Sequence, residues 1–109
     1  MKTDRELLEL AAKAAGYNVD WSDTYQRLEH FSGGEYQGYF DPLTDDGDAL
    51  RLAVKLHISP SWSPSKNSVK AAINNNPFLV FGMDATGDDC ADIRRIIVRA
   101  AAAIGEAMQ

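Results

Sequence analysis

Few residues in this 109-residue chain have the chemistry of a catalytic or metal-binding group. Cys90 is its single cysteine, and His30 and His57 are its two histidines. Cys90 falls in the first turn of an expected helix, where the positive dipole end favours a thiolate. Asp88, Asp89 and Asp92 place negative charge beside the sulfur and oppose that effect. A lone cysteine is more often buried for packing than reactive, and that is the preferred reading. Either histidine could act as its base, but His57 stands where a histidine simply bonds the last carbonyls of a helix.

Two other patterns invite chemistry and fail on spacing. Gly33 and Gly38 have the glycine interval of a phosphate-binding loop, but Tyr39-Phe40 occupies the places of Lys and Ser/Thr. Asp41, Asp45, Asp46 and Asp48 resemble a calcium loop. Counted from Asp41, the third position is Leu43, the sixth is Asp46 and the twelfth is Leu52, so the required oxygens and glycine are missing. Counted from Asp84, Asp89 and Arg95 fall at the sixth and twelfth positions, which fails again. Acids crowding a helix start account for the cluster, with Thr44 and Asp45 as caps. Arg94, Arg95 and Arg99 share a helix with Asp92 and Glu106 and read as a solvated face. No catalytic, cofactor-binding or metal-ligating residue is assigned.

Composition agrees. The net charge is −5, from 11 Lys+Arg against 16 Asp+Glu, which disfavours nucleic acid as a partner. Apolar residues make up 45% of the chain, but 15 of them are alanines, so helices that approach one another closely must help close the core. One cysteine excludes an intrachain disulfide framework. Charges at Lys2, Asp4, Arg5, Glu6, Glu9 and Lys13 interrupt the start, and Arg99 and Glu106 interrupt the end. Neither stretch has the apolar length of a signal core or a membrane span, so a cytoplasmic protein is expected.

The elements that must position these residues follow from periodicity. Thr3 and Glu6 have capping-box spacing, and Leu7, Leu10, Ala11 and Ala14 form a helical stripe from about Asp4 to Ala15, closed by Gly16. Residues 17–40 hold seven of the ten aromatics, with alternation at Tyr17, Val19 and Trp21 and a second extended segment from Glu35 to Phe40. A hairpin or loose meander is expected there. A second helix follows Pro42, with Leu50, Ala53, Val54 and His57 on one face and Leu52 and Leu56 beside it. A stripe so broad implies more than one neighbour. Ser59 to Ser68, with two prolines and five serines, reads as loop. Ser68–Ile73 and Pro77–Met83 read as strands joined at Asn74-Asn75-Asn76, and the run from Phe78 to Phe81 suggests a central strand covered on both faces. Asp88 or Asp89 opens a last helix to about Met108, with Ile93, Ile96, Ile97, Ala100 and Ile104 apolar. Gly105 and the run Ala100–Ala103 would let that helix approach a neighbour closely.

The predicted architecture is one α+β domain over residues 1–109, in the order α-β-β-α-β-β-α, with a small, mainly antiparallel sheet packed by three helices. Three blocks, Arg5–Gly16, Asp41–Leu56 and Ile96–Gly105, resemble small phage and prophage proteins akin to the phage ABA-sandwich family. Phe40-Asp41-Pro42 stands where related sequences carry Trp-Asn-Pro. The resemblance covers about a third of the chain, implies a sheet between helical layers and supplies no catalytic residues.

Two functions are weighed. The preferred one is a non-enzymatic phage accessory protein in the host cytoplasm that binds a host or phage macromolecule, modulating host metabolism or defence. The alternative is a binder of, or small enzyme acting on, a nucleotide-like ligand, in an aromatic-lined pocket built from residues 17–40. Trp62, Tyr36 and Tyr39 are the candidate partner contacts, and a homodimer stays open. For Trp62, a plug over the core edge is preferred to an interface anchor.

Overall fold

The structure, a computed structural model, describes residues 2–74 and 80–108. Helix α1 spans Asp4–Ala15 with the capping box its spacing predicts. The Glu6 amide donates to Thr3 Oγ1 at 3.1 Å, and the Thr3 amide donates to Glu6 Oε1 at 3.1 Å. Gly16, at φ +74°, closes the helix in the left-handed conformation. Helix α2 spans Asp46–Leu56 and α3 spans Asp89–Ala107, capped by Asp45 and Asp88 respectively.

Among the described residues there are six strands, not four, giving the order α-β-β-β-α-β-β-β-α. Strands β1 (Asn18–Ser22), β2 (Arg27–Ser32) and β3 (Glu35–Phe40) form one antiparallel meander. Strands β4 (Ile58–Trp62), β5 (Ser68–Ile73) and β6 (Val80–Asp84) form another. The α+β class and three helices stand as predicted, while the single sheet is divided in two. Each sheet turns one face to the helices. Ser59, Lys70 and Gly82 are exposed on the other face of the second, unlike the sheet between helical layers that the resemblance implied.

Strand β4 overturns the loop expected at its place, despite Pro60. The Asn74 amide donates to the His57 carbonyl at 2.8 Å, and the Ser63 amide donates to the Ser68 carbonyl at 2.9 Å. Antiparallel bonding alternates, so residues 57, 59, 61 and 63 bond towards β5 and residues 58, 60 and 62 point away. Pro60 therefore loses no ladder bond, the condition under which an edge strand accepts proline. Strand β6 is likewise an edge, because β4 and β6 both pair with β5. Phe81 and Met83 turn inward while Val80, Gly82 and Asp84 are exposed, so the central strand covered on both faces is β5's role only in position. The predicted turn at residues 75–76 and the strand start at 77–79 lie outside the described residues.

One continuous core joins the parts. Helix α3 is its hub and packs against α1, α2 and all three strands of the second sheet. Val69, Ala71 and Ile73 of β5 and Ile96, Ile97, Val98 and Ala100 of α3 are buried, while Ile93 and Ile104 are half-buried. On α1 the buried stripe is Leu8, Ala11, Ala12 and Ala15, turned by one residue from the predicted Leu7, Leu10, Ala11 and Ala14. The turn brings the smaller side chains to the tight seam with α3. There a Cβ at Gly105 would collide with the Leu10 carbonyl, so the close approach expected of Gly105 is realised.

Candidate functional site

A cleft of about 720 Å³ lies between α2, α3 and β4. Leu50 and Val54, one turn apart on α2, form one wall, and Ile93 and Ile97, one turn apart on α3, form the other. Ile58, Pro60 and Trp62 close it from β4. The predicted α2 face is thus corrected. Ala49, Leu52 and Ala53 enter the core, whereas Leu50 is 65% exposed and Val54 68% exposed. The reason is circumference: α2 carries apolar residues at 49, 50, 52, 53, 54 and 56, more than α3 and β4 can cover. That excess was the one sequence signal for this site.

Trp62 ends β4 rather than standing in a loop, opposite buried Val69. It lines the cleft and is 40% exposed, more than a closed plug would be. Tyr36 and Tyr39 lie on the first sheet and do not line the cleft. In a regular strand, residues three apart face opposite sides. The β2–β3 register shifts between His30 and Phe31, leaving Gln37 unpaired, and Gly38 sits at φ +111°. This bulge turns both tyrosines to one face. The aromatic-rich segment 17–40 contributes nothing to the large cleft. Trp21, Leu28 and Phe40 instead share a recess of 160 Å³ with Arg5 and Arg27. That is well below the roughly 300–1,000 Å³ of small-molecule sites.

Cys90 is exposed, contrary to the buried role expected, because the second position of α3 faces the cleft. His57 lines the same cleft as the left-handed C-cap of α2, whose backbone amide, not its ring, meets the Ala53 and Val54 carbonyls. His57 and Cys90 make no hydrogen bond to each other. His30 lies against the Tyr17 ring, with the planes tilted by 38° and the centroids 4.5 Å apart.

The acids are occupied structurally. Asp45 accepts from the Asp48 amide at 2.7 Å, and Asp48 Oδ2 accepts from the Asp41 amide at 2.9 Å. Thr44 does not cap α2; its hydroxyl donates to Asp41 Oδ2 at 2.7 Å. Asp48 Oδ1 pairs with Arg51 at 2.6 Å, which raises the Arg51 pKa. Arg94 is no solvated residue. It pairs with Asp46 at 2.6 Å, donates from Nε to the Leu43 carbonyl at 2.8 Å, and has its pKa raised by the Asp46 bond. Arg95 pairs with Asp4 at 3.0 Å.

Asp92, read from sequence as a surface charge, is 2% exposed. It accepts from the Thr86 hydroxyl at 2.6 Å and the Thr86 amide at 2.9 Å. These two bonds hold its carboxyl below the usual range against the opposing cost of burial. Among the described residues, no three His, Cys, Asp or Glu side chains gather as a metal site, and no helix is long and apolar enough to cross a membrane. Compared with protein-family models, curated proteins and solved structures, the chain matches none.

Proposed function

We propose that this chain is a non-enzymatic accessory protein of a phage or prophage, acting in the host cytoplasm. In this reading the cleft between α2, α3 and β4 docks an amphipathic helix of a host or phage protein. The observation that carries it is the exposure of Leu50 and Val54 opposite Ile93 and Ile97, with Trp62 at the margin. Two apolar pairs at helical spacing match anchors at i, i+3 or i+4, and i+7 of a docked helix. Pro60 disfavours strand addition, since one outward position of β4 has no amide to donate. Asp89 lies where the cleft meets the start of α3 and makes no ion pair among the described residues, so a basic residue on the docked helix is complementary there. The phage origin rests on the three sequence blocks.

Selection from a surface-displayed library of amphipathic helices tests the docking mode. Enriched binders should be apolar on one face with a basic residue at one end, and should shift the Trp62 emission in a Trp21→Phe background. Leu50→Asp with Val54→Asp should leave the circular dichroism melt near wild type and weaken binding about tenfold or more. Undiminished binding by that double variant would overturn the reading, as would light scattering that shows a dimer closed by these residues. A thermal-shift rise with nucleotides, about 2.7 kcal/mol at one hundred times the dissociation constant, would favour the small-ligand alternative instead.

A further inference from the structure

The outer face of the first sheet carries a continuous run of four rings. Phe31 and Tyr36 have centroids 5.9 Å apart, Tyr36 and Tyr39 6.3 Å, and Tyr39 and Tyr25 6.1 Å. The rings do little for the core, since Tyr25 is 63% and Tyr36 52% exposed. Their assembly depends on the Gln37 bulge, which interrupts a ladder that a regular strand would complete. Neighbouring planes meet at 67°, 87° and 59°, so the surface is a series of notches rather than a flat stacking platform.

Charge on the same face points to the occupant. Asp20 stands directly across from Glu29, and Glu29 directly across from Tyr39. Like charges in such cross-strand positions destabilise a sheet. Among the described residues neither acid has an ion-pair partner, and Arg27 lies instead over the Tyr39 ring at 5.1 Å. The fold gains nothing from two facing carboxylates, whereas a bound cation would relieve them. Phosphate backbones would be repelled there.

We infer that this face is a second binding surface, for a proline-rich, basic segment of a partner protein in the polyproline II conformation. Proline rings seat in notches between aromatic side chains, and the extended helix is ordered before it binds. An arginine or lysine of the segment meets Asp20 and Glu29 and lies against the exposed tyrosine faces. The surface is independent of the cleft between α2, α3 and β4.

Fluorescence anisotropy with a labelled peptide of Pro-Pro-Arg repeats tests it. Saturable binding is expected, with no binding by Pro-Pro-Glu repeats and much weaker binding by Ala-Ala-Arg repeats. Tyr36→Ala should weaken binding about tenfold while the thermal melt stays near wild type, because the ring is exposed. Glu29→Gln should weaken it several-fold and flatten its dependence on salt. The Leu50→Asp, Val54→Asp double variant should bind the peptide as wild type does. Absence of saturable binding would overturn the inference, as would equal binding of Ala-Ala-Arg repeats, preference for single-stranded oligonucleotide, or indifference to both Tyr36→Ala and Glu29→Gln. Loss of binding only in the cleft double variant would overturn this surface while leaving the cleft itself in place.

Discussion

The two meanders have the same topology, three antiparallel strands in chain order, and differ in what covers them. The second lies against α3 and buries Val69, Ala71 and Ile73 on its middle strand. The first meets the helices chiefly where β1 touches α1, and its strands give the buried core only Leu28 and Phe40. One sheet is therefore a structural floor, and the other keeps most of its aromatic surface outside. A strand's residue types alone do not decide which outcome it meets; the presence of a long apolar helix across its face does.

Gly105→Ala strikes the seam between α1 and α3 that joins the two halves, and should have the largest effect. The added methyl meets the Leu10 backbone carbonyl, which cannot swing aside as a side chain would. Because backbone must move, the loss should exceed both the roughly 1–3 kcal/mol of overpacked cores and the loss at Ile97, despite the better helix propensity of alanine. Urea unfolding read by circular dichroism measures it. Ile97→Ala, beneath the second sheet, should cost about 2–5 kcal/mol in the same assay. Val19→Ala, half-buried on the first sheet, should cost clearly less. Equal losses would erase the distinction between the sheets, and hydrogen exchange slower in β1 than in β5 would reverse it.

Acid sharpens the comparison, since the buried carboxylate of Asp92 serves the α3 side. Its folded pKa lies below the ordinary 3.8, so its stabilisation is present above that value and is lost as pH falls through the folded one. Asp92→Asn should lower the urea midpoint at pH 7 and flatten the acid limb of the stability profile below about pH 4. Asp45→Ala, which removes the α2 cap, should cost about 1 kcal/mol. Calcium should leave Tm unchanged, because Asp41, Asp45, Asp46 and Asp48 already hold amides, a hydroxyl and guanidinium groups. A calcium-dependent rise of several degrees would show that those contacts yield to a metal.

Much of this was legible in residue order. The capping box at Thr3 and Glu6, the left-handed Gly16, the acids opening α2 and α3, and strand β5 needed only neighbours within a few positions. Tyr36, Tyr39 and Trp62 were singled out for their type, and all three retain solvent exposure, but on two different sheets. Spacing puts Leu50 and Val54 on one apolar face of α2, but amphipathic spacing marks a face without saying whether anything covers it. Asp92 was read as surface because the Thr86 bonds that let it be buried come from a loop with no periodic signal.

By itself the sequence determined the three helices, the capping box of α1, the acids that open α2 and α3, the α+β class and the net negative charge, because capping and periodicity act through residues adjacent along the chain. Tertiary structure alone decided that Pro60 belongs to a strand, that β6 is an edge, and that Gln37 is the extra residue of a bulge. It also decided that α2 keeps an apolar face uncovered. Each of these depends on which backbone or side chain arrives from a distant part of the chain, and local residue patterns carry no record of that arrival.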